Sequence, residues 1–258
     1  MAIGRKYGWV PDLPDNRDLM YKSIKPITFK LPSSINLTPF CSPVEDQGEL
    51  GSCTANSLVA ALEFIELKEK RDKGLQPPFS DYSRLFLYYN ERALEGTTKV
   101  DAGAMIRDGI KSINTKGCCS EDSWPYDISK FAVKPPKSCY AEAIGHKSLQ
   151  YARITTLDEM KTCLASGYPF VFGFMVYASF ESPEVTKTGV VPMPQPFEKA
   201  LGGHAVLAVG YDDLSSRFVA RNSWGTKWGK KGYFTIPYKY LTNSNLADDM
   251  WNIITLEE

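Results

Sequence analysis

The chain has 258 residues, a formal net charge of zero and 43% apolar residues, enough to bury a core in one large domain or two half-domains. The balanced charge, with no basic block, argues against nucleic-acid binding, and no stretch reaches the apolar length of a membrane helix. The sequence also lacks internal repeats and low-complexity tracts. These properties indicate a globular protein.

Residues 1–30 predict an extended arm, because three prolines stand among several aspartates and disfavour helix. The first residues are positively charged but no apolar segment follows them, so they do not read as a secretory signal. The compartment stays open, and secreted, lysosome-like or host-delivered use fits if a signal was removed. The arm either packs on the surface through Trp9, Leu13 and Tyr21 or crosses a cleft and limits access to it.

A long helix is predicted to begin at Cys53. Ser52 can serve as its N-cap, and apolar residues recur at Leu58 and Leu62 before the pattern ends near Gly74. A thiol in the first turn of a helix lies at the positive end of the helix dipole, which favours the nucleophilic thiolate. Cys53 is therefore a candidate nucleophile, provided that a base is nearby.

The candidate base is His204, about 150 residues further along the chain in a glycine-flanked apolar segment. A third segment containing Asn222 follows closely. This separation is the one expected when Cys, His and Asn side chains meet only in the folded protein.

Together these segments resemble the papain-like cysteine peptidases. The resemblance rests on a glutamine six residues before the cysteine, a Gly-Ser-Cys step, the glycine-flanked histidine and an Asn-Ser-Trp-Gly-x-x-Trp-Gly box: Gln47, Gly51, Ser52, Cys53, His204 and the stretch from Asn222 to Gly229. It implies an enzyme that hydrolyses peptide bonds through a thioester acyl-enzyme intermediate.

The resemblance also implies a role for each catalytic side chain. Cys53 would exist as a thiolate facing the imidazolium of His204, and Asn222 would orient the imidazole ring. Gln47 and the backbone amide of Cys53 would stabilise the oxyanion. Two tryptophans have supporting roles by resemblance, one shielding the His–Asn bond from water and one forming an apolar wall on the leaving-group side: Trp224 and Trp228.

Substrate contacts follow from the same resemblance. The backbone of Gly103 would pair with the substrate chain, although a simple helix N-terminus is an equally good interpretation of this glycine. Met105 and Ala205 would line an apolar pocket for the second residue before the scissile bond. The remaining predicted substrate-binding residues are the glycines and serine that flank the nucleophile and the base: Gly51, Ser52 and Gly203. Asp248–Asp249 either form the floor of the pocket, favouring a basic residue, or are solvated or capping residues.

The chain departs from the family pattern in three places. Leu50 stands where the family has a disulfide-forming cysteine next to the active site, so that cross-link is absent and burial of Leu50 is expected to replace it. Thr54 stands where the family has a tryptophan beside the nucleophile. The N-terminal arm is much shorter than the usual helical propeptide.

The fold class implied is α+β, papain-like and two-lobed, with the active site in the cleft between a helical half and an antiparallel β half. Residues 31–258 would form the peptidase domain: a helical half at about 31–145, a β half at about 146–245 and a C-terminal strand that crosses back. Further helices are predicted at 80–94, 101–117 and, behind a capping box at Thr156 and Glu159, up to Gly167; strands are predicted at 170–174, 205–209, 218–220 and 233–236.

No metal or organic cofactor is expected, because the cysteine pair Cys118–Cys119 has poor ligand spacing and only two histidines exist. The pairing of the five non-catalytic cysteines stays open, and Cys163 is expected to be a buried thiol. His146 has no partner motif, which favours a surface or structural role. We expect a monomer that acts on a peptide or protein. Two alternatives stay open: a catalytically silent or occluded peptide-binding homologue, and a transglutaminase-like acyl transferase.

Overall fold

The computed structural model describes residues 5–24, 30–75, 79–144 and 149–255. The predicted role of His146 falls on a residue outside these ranges. Eight α-helices lie within them: α1 Tyr21–Ile24, α2 Cys53–Asp72, α3 Arg84–Leu94, α4 Ile106–Lys116, α5 Lys137–Ala143, α6 Leu157–Ala165, α7 Pro183–Thr188 and α8 Tyr238–Leu241. No helix among the described residues is both long and apolar enough to cross a membrane.

Helix α2 begins at Cys53 as predicted and runs for 20 residues beneath the cleft. The predicted capping role of Ser52 is wrong in one respect. Ser52 occupies the N-cap position, but its side chain makes no capping bond and instead hydrogen bonds to the hydroxyl of Tyr126. The first turns of α2 are buried on every side because α3, α4 and the sheet enclose them.

Helices α3 and α4 pack together beside α2. Both are shorter than predicted, since α3 starts at Arg84 behind the N-cap Ser83 and α4 starts at Ile106 rather than at Asp101. Helix α4 ends at Lys116, and the capping residue Gly117 has a φ of 76°, a positive value that glycine adopts without strain. The capping box of α6 at Thr156 and Glu159 is present as predicted.

The β half is one antiparallel sheet in the order β2-β7-β3-β4-β5-β6, with β1 paired to β4: β1 Ser34–Asn36, β2 Leu149–Ile154, β3 Phe170–Tyr177, β4 Ala200–Asp212, β5 Arg217–Arg221, β6 Tyr233–Pro237 and β7 Ala247–Thr255. The four predicted strands and the returning C-terminal strand are present. Strand β2 was not predicted, and β1 joins the sheet although it lies in the range assigned to the helical half. Helix α2 packs on β4, which brings the first turn of α2 close to His204.

Candidate active site

The imidazole of His204 is held by Asn222. His204 lies on β4 and Asn222 directly follows β5, and the two strands are paired in the sheet. The distance from His204 Nε2 to Asn222 Oδ1 is 2.8 Å, and both side chains are buried. Because an amide oxygen only accepts, Nε2 carries the proton and Nδ1 keeps its lone pair. The Nδ1 atom, which has no hydrogen-bond partner among the described residues, is therefore free to accept a proton.

Gln47 is held in a fixed orientation beside the nucleophile. Its Oε1 accepts a 2.6 Å bond from Ser223 Oγ, and its Nε2 donates to the carbonyl of Leu50 at 2.9 Å. The Gln47 backbone amide bonds to the carbonyl of Ser223, which links this loop to the segment containing Asn222. Its side-chain amide is thus preorganised as a donor, as an oxyanion site requires.

Aromatic rings shield the histidine. The ring centroids of His204 and Trp224 are 5.0 Å apart, and Phe174 and Phe180 approach the same imidazole at 5.7 and 6.5 Å. Trp228 packs behind Trp224 at 5.2 Å and is buried, so it supports the shield from the far side. Thr54 does not line the cleft beside the nucleophile, because its hydroxyl donates to the buried Glu91.

Burial favours the neutral forms of both Cys53 and His204, the candidate catalytic pair. Desolvation raises the pKa of Cys53 to about 12, and the backbone hydrogen bonds from Ala205 and Gly8 only partly offset it. Desolvation lowers the pKa of His204 to about 4, against the raising effect of its bond to Asn222. The thiolate–imidazolium pair expected from the sequence is therefore disfavoured in this state.

The N-terminal arm runs through the cleft and contributes to this burial. Gly8 lies against the nucleophile loop so closely that a Cβ on it would come within 1.7 Å of the Gly51 carbonyl oxygen. The carbonyl of Lys6 faces Gln47 Nε2 at 3.4 Å, and the ring of Tyr7 lies 6.2 Å from that of His204. The arm thus contacts the predicted oxyanion donor, the nucleophile loop and the general base.

Backbone hydrogen bonds fix the arm to both halves. On the helical side, Ala104 N donates to the Gly8 carbonyl at 2.8 Å and Val10 N donates to the Ala104 carbonyl at 3.0 Å. On the β side, Trp9 N donates to the Gly203 carbonyl at 2.9 Å. The predicted peptide-binding glycines Gly103 and Gly203 therefore do border a bound extended chain, which here is the arm itself.

Trp9 fills a pocket between the two halves. Its side chain packs over Gly173, and its indole Nε1 donates to Asp249 Oδ2 at 3.0 Å. Asp249 is 1% exposed and adopts a left-handed φ of 55°, so its predicted role as a solvated or capping residue is wrong. Ala205 is buried opposite Gly173 in the β3–β4 pairing.

A charged cluster anchors the arm beyond the pocket. Asp12 accepts bonds from the backbone of Arg107 and from the indole of Trp251, and Arg107 also pairs with Asp18 on the arm. Arg153 lies within 4.0 Å of Asp12, Asp18, Asp248 and Asp249: its ion pairs join β2, β7 and the arm. This anchor was not apparent in the sequence, where its members are up to about 240 positions apart.

Other predicted site residues have different surroundings. Ser52 is fully buried and turned toward Tyr126, away from the arm. Met105 immediately precedes α4, and its backbone amide donates to Glu95 at 2.7 Å. All six cysteines lie in the described part of the chain and are free thiols, and Cys163 is buried as expected. A carboxylate that the sequence did not single out, Asp101, contacts both the nucleophile loop and the arm.

The structure combines a buried cysteine at the start of a helix with a buried histidine held by an asparagine, the set of side chains found in thiol hydrolases of the Cys-His-Asn type. Comparison with known proteins agrees. Residues 31–252 match the profile of the papain family of cysteine proteases. A peptidase C1-like protein of Acanthamoeba polyphaga mimivirus is 46% identical, over 98% of this chain and 88% of its own length. Cathepsin K of Gallus gallus is 32% identical over 75% of this chain and 54% of its own.

A solved structure is similar over nearly the whole chain. Xylellain, a cysteine protease from Xylella fastidiosa, superimposes with a TM-score of 0.88 at 43% identity and covers 97% of this chain and 96% of its own. The protein therefore belongs to the papain family of cysteine proteases and is a cysteine peptidase with the papain-like α+β fold.

Proposed function

We propose that this peptidase cleaves peptide bonds by attack of Cys53 Sγ on the scissile carbonyl, with His204 Nδ1 taking the thiol proton. The observation that carries the proposal is the 2.8 Å bond from His204 Nε2 to Asn222, which leaves Nδ1 as the basic nitrogen. The tetrahedral oxyanion is stabilised by Gln47 Nε2 and the backbone amide of Cys53. Protonation of the leaving nitrogen by His204 breaks the C–N bond and releases the amine, and water then hydrolyses the thioester that remains on Cys53.

We further propose that residues 1–30 are an inhibitory arm attached to a peptidase domain at 31–258. The arm approaches from the tryptophan side, where Arg5 lies 5.1 Å from the Trp224 ring, and reaches the pocket with Trp9. A substrate runs the other way, with its second residue before the scissile bond in the pocket and its leaving group on the tryptophan side. The arm therefore occupies the cleft in reverse, which explains how it resists cleavage.

Displacement of the arm is the activating step in this scheme. While it is bound, burial disfavours both the thiolate and the imidazolium. Removing Gly8 and Tyr7 readmits water to Cys53 and His204. Solvation lowers the cost of charge separation, so the proton moves from sulfur to Nδ1 and the nucleophile forms.

The pocket that holds Trp9 gives the substrate preference. Asp249 ends the pocket, but its other oxygen, Oδ1, is paired with Arg153 at 2.9 Å, so the charge at the floor is partly neutralised. Within the described residues, the oxygen facing Trp9 accepts hydrogen bonds only from the arm, namely from the indole and from Asp12 N. We propose that the pocket prefers a large apolar side chain that carries one hydrogen-bond donor over a fully charged one.

The experiment uses the full chain with Trp9→Ala, which opens the cleft, with and without Cys53→Ala. Fluorogenic peptides with Trp, Phe or Lys as the second residue before the scissile bond are assayed under reducing conditions. The proposal expects cleavage fastest with Trp and abolished by Cys53→Ala, on the order of 10⁶ in kcat as for other catalytic nucleophiles. Cleavage that survives the replacement would overturn it. Transfer of the acyl group to an added amine without hydrolysis would favour the acyl-transferase alternative. Peptide binding without either reaction would favour the catalytically silent peptide-binding alternative.

A further inference from the structure

Two loops border the slot through which the backbone of the arm passes. One contains Gly51, two residues before the nucleophile, and the other contains Gly103, just before α4. A Cβ on Gly103 would lie 2.2 Å from the carbonyl oxygen of Gly8, just as a Cβ on Gly8 would collide with Gly51. The slot is therefore no wider than a peptide backbone. Its width depends on what holds the two loops together.

No disulfide does so. Leu50 stands at the position of the cysteine that cross-links this loop in the family, and none of the six cysteines, all within the described residues, is bonded to another. Leu50 is buried as expected, but burial of one leucine is not directional. It cannot by itself fix the separation of two backbone segments.

A chain of hydrogen bonds joins the two glycines. The carboxylate of Asp101 accepts the Gly51 backbone amide with both oxygens, at 3.0 and 3.2 Å. The hydroxyl of Tyr88 donates to Asp101 Oδ1 and accepts the backbone amide of Gly103 at 3.2 Å. Tyr88 is fully buried, and the side chain of Asp101 is 9% exposed. Both groups are therefore shielded from water, where hydrogen bonds to a carboxylate are strongest.

We propose that Asp101 and Tyr88 are positioning residues that hold the substrate slot at the width of an extended peptide backbone. The proposal deepens the proposed function and rests on it only for its kinetic consequences. Burial and the bond to Asp101 raise the pKa of Tyr88, which keeps its hydroxyl protonated as the donor of the chain. Unlike a disulfide, this link does not depend on redox conditions, so the slot keeps its shape with every thiol reduced.

The arm uses the same carboxylate. Lys6 Nζ lies 2.9 Å from Asp101 Oδ2, the oxygen that does not bond to Tyr88. Asp101 therefore has two separable roles, one toward the loops and one toward the arm. Tyr88→Phe affects only the first, and for this reason it is the more informative variant.

The test compares Tyr88→Phe and Asp101→Asn with the exposed Asp122→Asn as a matched control, all in full-length Trp9→Ala protein. The rate of labelling by a peptidyl epoxysuccinyl reagent reports on binding in the slot. The rate of Cys53 alkylation by iodoacetamide, measured by peptide mass, reports on the reactivity of the nucleophile alone. We expect Tyr88→Phe and Asp101→Asn to react at least fivefold more slowly with the peptidyl reagent and to show a similar increase in KM. Iodoacetamide alkylation and kcat should stay within twofold, and the control should change nothing.

Hydrogen exchange of the 50–53 and 102–105 amides, measured on the same proteins without any reagent, reads the link independently of activity. Exchange at least tenfold faster in both segments of Tyr88→Phe supports the proposal. Unchanged exchange would overturn it even if the enzyme turns over, and an equal loss of reactivity toward both reagents would show that the residues act on the nucleophile instead. A protein with faster exchange but an inert Cys53 would contradict the proposed function, not the link.

Discussion

The candidate catalytic centre and the anchor of the arm are stabilised by different kinds of interaction. At the centre, the buried His204 hydrogen bonds to Asn222, and the buried Gln47 accepts a hydrogen bond from the neighbouring Ser223. At the anchor, Asp18 forms ion pairs with Arg107 and Arg153, and Asp12 lies 4.0 Å from Arg153. From this difference we expect changes in charge to release the arm while the centre stays intact.

The largest effect on activity is expected from Gln47→Glu in the Trp9→Ala protein, and it would distinguish the centre from the anchor. The substitution keeps the shape of the side chain but replaces the donor with an acceptor, and loss of one oxyanion donor costs about 10²–10³ in kcat. The measurement is kcat on a fluorogenic peptide, with circular dichroism to verify folding. Because Gln47 belongs to the centre and not to the anchor, the affinity of a separately added peptide of residues 5–24 should fall much less. An unchanged kcat would remove Gln47 from the oxyanion site.

A smaller effect concerns pH and the anchor. Burial, followed by the nearby charge of Asp249, raises the pKa of Asp12 to about 7, so the bound arm holds a proton that a released arm, with an ordinary pKa near 3.8, gives up. The contribution of Asp12 to binding is thus greatest below pH 4 and is lost as pH rises through 7. The groups that face Asp12 are Arg107, Arg153, Asp249 and Trp251. Two further carboxylates, Asp18 and Asp248, are paired with the arginines of this cluster.

The quantity to compare is the labelling rate of the full chain divided by that of Trp9→Ala at the same pH. This ratio should be several-fold higher at pH 8 than at pH 5. Asp12→Asn mimics the protonated side chain, so it should remove most of this rise and keep the arm bound at pH 8. A normalised profile that is identical in the two proteins would mean that Asp12 does not control release.

The smallest effect is expected from Arg17→Ala. Arg17 pairs with Asp15 on the arm, but its side chain is 88% exposed, and exposed ion pairs contribute little because water and salt screen them. The labelling rate of the full chain should change by less than twofold. A larger change would show that surface charge on the arm matters as much as the buried cluster.

Local signals in the sequence point to the candidate centre more clearly than to the cleft around it. Cys53, His204, Asn222 and Gln47 carry local signals, such as a helix start, flanking glycines and a tryptophan box, and the structure places all four at the predicted cleft. Strand β2 was missed because 149–154 lacks a strict alternation of apolar and polar residues. Contacts that depend on pairing of distant segments leave no such pattern.

The arm illustrates that limit. Its sequence indicated extended chain, yet only the fold brings Trp9 to Asp249, and a short helix, α1, forms where prolines suggested none. Surface packing and crossing of the cleft were both compatible with the residues. Leu13 is 69% exposed while Trp9 is 7% exposed, so the arm faces the cleft with some of its apolar side chains only.

The central claim, that the arm closes a competent site, is tested most directly by intact-mass labelling of Cys53 with a peptidyl epoxysuccinyl reagent. The full chain is compared with full-length Trp9→Ala and with Leu13→Ala as the matched control on the arm. Removing a buried tryptophan costs about 3–5 kcal/mol, and every 1.4 kcal/mol is about tenfold in an equilibrium. We predict labelling of Trp9→Ala at least tenfold faster than of the other two proteins. Equal rapid labelling of all three would contradict the account, because the arm would then leave the site open.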